Sequence, residues 1–140
     1  MKKSNSKDLD LLDFKNSDSI LKTVVELYNE IWTDSKKWEV NLQKIEQYLT
    51  KLLNINPDNT RALINLGAIL SDRGKHKNAL IELKKAEKLN SKDANLYRNI
   101  AIVKMNIESE RQNAKEYFEI AKTMESDKLT IQAYFDLHGH

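Results

Sequence analysis

Few residues in this chain are of the kinds that make or break covalent bonds. Cysteine is absent from all 140 residues, which excludes thiolate nucleophiles, thiolate metal sites and disulfides together. Of the 3 histidines, His76 falls in a turn between two helical patterns, and the other two form the terminal run His138-Gly139-His140. A terminal tail cannot preorganise metal ligands, so no metal is expected there. No His-Glu-x-x-His pair, phosphate-cradling glycine loop or nucleophile motif is present. Glu108, Glu110, Glu116 and Glu119 stand near Arg111 and Lys115 at helical spacing and read as solvated carboxylates in weak pairs. The residue inventory therefore predicts a protein that is not an enzyme and needs no cofactor.

Charge gives the second candidate chemistry. The net charge is +2, and the positive excess collects in residues 60–93, mostly as Lys75, Lys77, Lys84, Lys85, Lys88 and Lys92. Such a patch could neutralise phosphates. It is, however, almost all Lys rather than base-reading Arg, with no aromatic side chain interleaved, so a solvated face is the reading and nucleic acid is not expected. No run of about 18 apolar residues exists, so no membrane span is expected. Met-Lys-Lys-Ser-Asn-Ser-Lys-Asp has no apolar stretch behind it and does not read as a secretory signal. With cysteine absent as well, the expected location is the cytoplasm.

The elements that would position any site are helical. With 3 Gly and 1 Pro there is little material for hairpin turns, and an all-α chain is predicted. Residues 1–17 read as a loose arm able to dock through Leu9, Leu11, Leu12 and Phe14. Leu21, Val24, Val25, Tyr28, Ile31 and Trp32 then mark one face of a helix, and Trp38, Leu42, Ile45, Leu49, Leu52 and Leu53 mark a second. Pro57-Asp58-Asn59 supplies a stop and then an N-cap. Further helices are predicted at 60–72, 76–89, 94–106, 111–124 and 127–137, about seven in all, as antiparallel hairpins. Gly74 suits the left-handed residue that closes the third.

The pattern repeats. Leu63, Leu66 and Gly67 recur as Tyr97, Ile100 and Ala101, each 34 residues on. Ala79, Leu83 and Ala86 recur as Ala114, Phe118 and Ala121, each 35 on, which places one inserted residue within Asn106–Asn113. Ile45, Leu49, Leu52 and Pro57 are a partial earlier copy. Its first helix puts Tyr28 and Ile31 in the apolar slots but Trp32 where a small residue belongs. Gly inside a helix costs about 1 kcal/mol relative to Ala, so Gly67 must return something, and with Ala79 and Ala86 it lets two helices approach closely.

These positions resemble the tetratricopeptide repeat, over about residues 20–126. The resemblance implies a right-handed superhelix of antiparallel helical hairpins, an α-solenoid, with three hairpins over 18–126 (the first degenerate) and a capping helix and tail at 127–140. Leu129, Ala133 and Leu137 would seal the last hairpin. It also implies a partner-binding concave face lined by the first helix of each hairpin. On this chain that stripe is Arg61, Asn65, Ala68 and Asp72, then Asn95, Asn99, Ile102 and Asn106, flanked by Arg98 and Met105. Asn offers donors and acceptors and Arg can clamp a carboxylate, a set suited to an extended peptide or a protein loop. Some family members hold a peptide C-terminal carboxylate with a Lys/Asn/Asn/Lys/Arg set. Only Asn65 matches it here, so that specificity is not transferred. The function expected is a non-catalytic protein-interaction module. The alternative is a bacterial immunity protein that neutralises a cognate toxin domain, consistent with small size and an A/T-rich residue vocabulary.

Overall fold

A computed structural model describes residues 12–124 and 129–133. The fold is all-α, with six α-helices and two short 3-10 helices among the described residues. They are α1 (Ser17–Thr33), α2 (Trp38–Ile55), α3 (Thr60–Asp72), α4 (His76–Lys88), α5 (Ala94–Met105) and α6 (Ala114–Lys122). Each helix packs on the next, and α3 also packs on α5. This is a helical solenoid in which each hairpin is covered by its neighbour.

The helix ends follow from local chemistry. Asn16, Asn59 and Asp93 each accept a bond from a first-turn backbone N–H of the helix they precede, at 3.2, 3.0 and 2.9 Å. The α3 end is a Schellman closure: Gly74, at φ 80°, donates to the Ser71 carbonyl and Lys75 to that of Leu70. The same closure ends α4, where Asn90 takes the left-handed conformation at φ 61° and Ser91 donates back to Ala86. Asn tolerates that region better than any other side chain present.

Small residues set the distance between paired helices. Ala79, Ala86, Ala101, Ala114 and Ala121 are all buried, as is Gly67. A Cβ at Gly67 would lie 2.5 Å from both Cγ and Cδ2 of Leu83 on α4. The glycine thus lets a leucine of the facing helix rest on bare backbone. The residue inserted in the third hairpin is absorbed by a 3-10 helix over Glu108–Asn113, which leads into α6.

The first hairpin packs by a different device. Trp32, standing where its later equivalents are Gly67 and Ala101, is not wedged between helices. It is 52% exposed and meets Tyr28 and Trp38 edge to face at 6.0 and 5.7 Å. Asn41 of α2 ties the hairpin instead, donating to the Leu27 carbonyl at 2.8 Å and to Glu30 Oε1 at 3.0 Å. Of the predicted arm, Phe14 is buried edge-on to Tyr48 with Lys51 Nζ above its ring, and Leu12 is partly buried. Leu9 and Leu11 lie outside the described residues.

Two corrections concern later residues. His76, expected in a turn, is the first residue of α4, buried with Nδ1 at 3.3 Å from Ser71 Oγ. The predicted capping helix at 127–137 does not form over Leu129–Ala133, which is non-helical. Residues 127, 128 and 134–140, including His138 and His140, lie outside the described residues.

Polar side chains stitch the hairpins together. Arg73 reaches from the end of α3 to Glu46 at 2.7 Å and Glu39 at 3.2 Å on α2. Lys84 donates to Glu87 at 2.7 Å and to the Tyr117 hydroxyl at 3.0 Å, and that hydroxyl donates to the other Glu87 oxygen. Burial works against the Lys84 ammonium, but these two partners outweigh it and leave its pKa above the ordinary value. Lys104, nearly buried, pairs with Glu110 at 2.6 Å, and its bond to Glu110 holds that carboxyl below the ordinary value.

Two outcomes are expected. Gly67→Val loses about 1–3 kcal/mol through overpacking, read as a lower urea midpoint, and costs less in a Leu83→Ala background because the two positions share one space. A carboxyl with a lowered folded pKa contributes stability that is complete above its unfolded pKa and is lost as pH falls through the folded value. The urea midpoint therefore falls on acidification through and below the carboxylate range. Glu110→Gln lowers it at neutral pH and makes the acid dependence shallower.

Candidate functional site

The stripe predicted on the first helices of the second and third hairpins is not a wet face. Asn65 and Asn99 are both 0% exposed, and Ala68, Asn95, Ile102 and Asn106 are buried as well. Against Asn65, Asn95 and Asn99 lies the chain's own segment Leu129–Ala133.

The geometry is regular. Asn65 Nδ2 donates to the Leu129 carbonyl at 3.2 Å, while its Oδ1 accepts from the Ile131 N–H at 2.6 Å. Asn99 repeats this two residues later, donating to the Ile131 carbonyl at 2.9 Å and accepting from the Ala133 N–H at 2.7 Å. Asn95 Nδ2 bonds the Thr130 hydroxyl. Asn65 and Asn99 therefore each take the carbonyl of one residue and the N–H of the second residue on. A carbonyl and the second N–H beyond it can face one amide together, as they face the next strand in a parallel sheet. A primary amide has the donor and acceptor needed to imitate that neighbour.

This explains why 129–133 is not helical. In an α-helix the Ala133 N–H would bond the Leu129 carbonyl, the ordinary i to i−4 pair. Here Asn99 takes the N–H and Asn65 takes the carbonyl. The segment turns at Leu129, bends at Thr130 and runs as irregular chain from Ile131 to Ala133. The segment also alternates: Ile131 and Ala133 are 3% and 2% exposed, while Gln132 between them is exposed.

The other predicted residues hold varied places. Arg98 donates to Asn95 Oδ1 at 2.8 Å and so fixes which way that amide points. Asp72 accepts from the Tyr28 hydroxyl at 2.8 Å, joining α1 to α3. Asn106 donates to the Ile102 carbonyl of its own helix at 2.9 Å and is not turned to the segment through that amide. Met105 is half-buried. Arg61 stands apart, 3.7 Å from Asp18 in a pair open to solvent, beside a hollow of about 960 Å³ where α1, α3 and α5 begin. Sequence spacing placed Asn65 on the α3 stripe and Asn95, Asn99 and Asn106 on one line along α5. Nothing in it revealed that Leu129–Ala133 would be their partner, since those residues read as helical.

Among the described residues, no group of histidines and carboxylates could hold a metal ion, and no helix is long and apolar enough to cross a membrane. No family model and no curated protein matches the sequence. The chain is similar to a solved structure titled "MamA MSR-1 C2", at 20% identity and a TM-score of 0.49, covering 75% of this chain and 67% of that one. A likeness at that level carries nothing about function.

Asn99→Ala strands the Ile131 carbonyl and the Ala133 N–H in a buried place, at about 1–3 kcal/mol for groups left unsatisfied. The expected result is faster hydrogen exchange at the Ala133 amide and a lower urea midpoint. An unchanged exchange rate there would show that something other than Asn99 holds the segment.

Proposed function

We propose that this chain is a non-catalytic protein-interaction module of the tetratricopeptide type, binding an extended segment of a partner protein on the face that α3 and α5 share. Asn65 and Asn99 hold the partner's backbone. Asn95, positioned by Arg98, reads a polar side chain, and Ala68, Ile102 and Met105 supply apolar surface. Asp72 and Asn106 shape the far end of the groove, and Arg61 stands at its mouth.

The observation that carries this reading is the paired bonding of Leu129–Ala133. A face that already holds one stretch of non-helical backbone, by four bonds of 2.6 to 3.2 Å, has the chemistry to hold another. Main-chain bonds of this kind give affinity, while the small and apolar places between them give specificity. Neither use requires a cofactor.

The test is a peptide array probed with the full chain. Bound peptides are expected to be extended and to lose binding when Asn65, Asn99, Arg61 and Arg98 are replaced by Ala together. The variant should keep a helical circular dichroism spectrum and cooperative unfolding. Binding that survives the four replacements would remove this face as the site.

A further inference from the structure

The segment Leu129–Ala133 lies where a partner peptide would lie, held by the same atoms. We infer that it is a resident ligand held in cis. The groove's external partner would then be a peptide that takes the same non-helical path, with an aliphatic residue and a small residue two positions later, and binds by displacing it. This deepens the reading of the groove as the binding site and rests on it.

Three features favour a displaceable occupant over a fixed part of the core. First, the grip is on backbone: Asn65 and Asn99 bond only carbonyls and N–H groups of the segment, which any extended peptide offers. Second, only Ile131 and Ala133 of the segment enter the core cluster, whereas each of α3 and α5 contributes several buried apolar side chains. Third, the segment follows shortly after α6, which ends at Lys122. A short tether gives an effective concentration on the order of millimolar. That is enough to mask the groove from weak ligands while yielding to a better one. The pattern Leu129-x-Ile131-x-Ala133, with Thr130 reaching Asn95, describes the ligand class: aliphatic, hydroxyl, aliphatic, open, small.

The experiment uses the full chain and a fluorescein-labelled peptide copying residues 127–135, followed by fluorescence anisotropy. Ile131→Pro with Ala133→Pro removes both N–H donors from the resident segment and leaves α3 and α5 untouched. This variant is expected to bind the peptide at least about tenfold more tightly than the unaltered chain, given a millimolar tether. Adding Asn65→Ala and Asn99→Ala should abolish that binding. In the unaltered chain, the Ile131 and Ala133 amides should exchange slowly, and faster when excess peptide is added. That readout holds even if the proline variant fails to fold.

Equal affinity in both chains, with no effect of peptide on exchange, overturns the resident-ligand inference and leaves the groove reading intact. If the peptide fails to bind a folded proline variant while array peptides still bind through Asn65 and Asn99, the inferred ligand class is wrong. Failure of both removes the groove reading as well. Protection of the two amides that appears only at concentrations where the chain dimerises would place the segment in a second copy, which also overturns the cis arrangement.

Discussion

Everything in this fold depends on how closely paired helices approach. A single hairpin cannot bury its apolar face, so stability comes from stacking hairpins, and hairpins stack alike only where the two helices within each meet on surfaces without protruding side chains. Gly67, with Leu83 seated on its bare backbone, and the buried alanines at 79, 86, 101, 114 and 121 provide those surfaces. Because the second and third hairpins use the same positions, α3 and α5 lie side by side in matching orientation. Asn65 and Asn99 are therefore equivalent points on equivalent helices, and their alignment follows from the packing of residues on the opposite side.

That alignment lets a structural repeat hold a stretch of backbone. One asparagine on a helix face is an unremarkable solvated group. Two, one repeat apart, match a stretch of extended chain, because Ile131 offers its N–H to the first and its carbonyl to the second. The amides are fully buried with the segment bonded to them, and a buried amide without partners is costly. The face therefore has a standing preference for backbone over an apolar cover. A capping helix spends its N–H and C=O groups on itself and could not have satisfied these asparagines.

The legible and illegible parts of the sequence divide on physical grounds. The first six helices, the left-handed closure at Gly74, the close approach at Gly67 and the insertion near Asn106–Asn113 all follow from short-range patterns or from comparing one repeat with the next. The line of Asn65 and Asn99 was legible for the same reason. The conformation of Leu129–Ala133 was not, because its four-residue stride suits a helix and its actual partners stand more than thirty residues earlier, as the Asn99 to Ala133 bond shows. Trp32 and Asn41 were hidden differently: the first hairpin departs from the repeat, so comparison with its neighbours gave the wrong environment for Trp32 and no role for Asn41.

The same departure sets the length of the held segment. In the alignment that places Tyr28, Ile31 and Trp32 against Leu63, Leu66 and Gly67, the residue of α1 equivalent to Asn65 is Glu30. An ionised carboxylate accepts but does not donate, so it cannot bond a peptide carbonyl. Glu30 is also engaged already, receiving a bond from Asn41 that lowers its pKa below the ordinary value and lying 3.5 Å from Lys37. The series of amides therefore stops at α3 on one side, and α5 carries its last described member on the other. Two asparagines that each span a carbonyl and the second N–H beyond it read five consecutive residues, the extent over which Leu129–Ala133 is held.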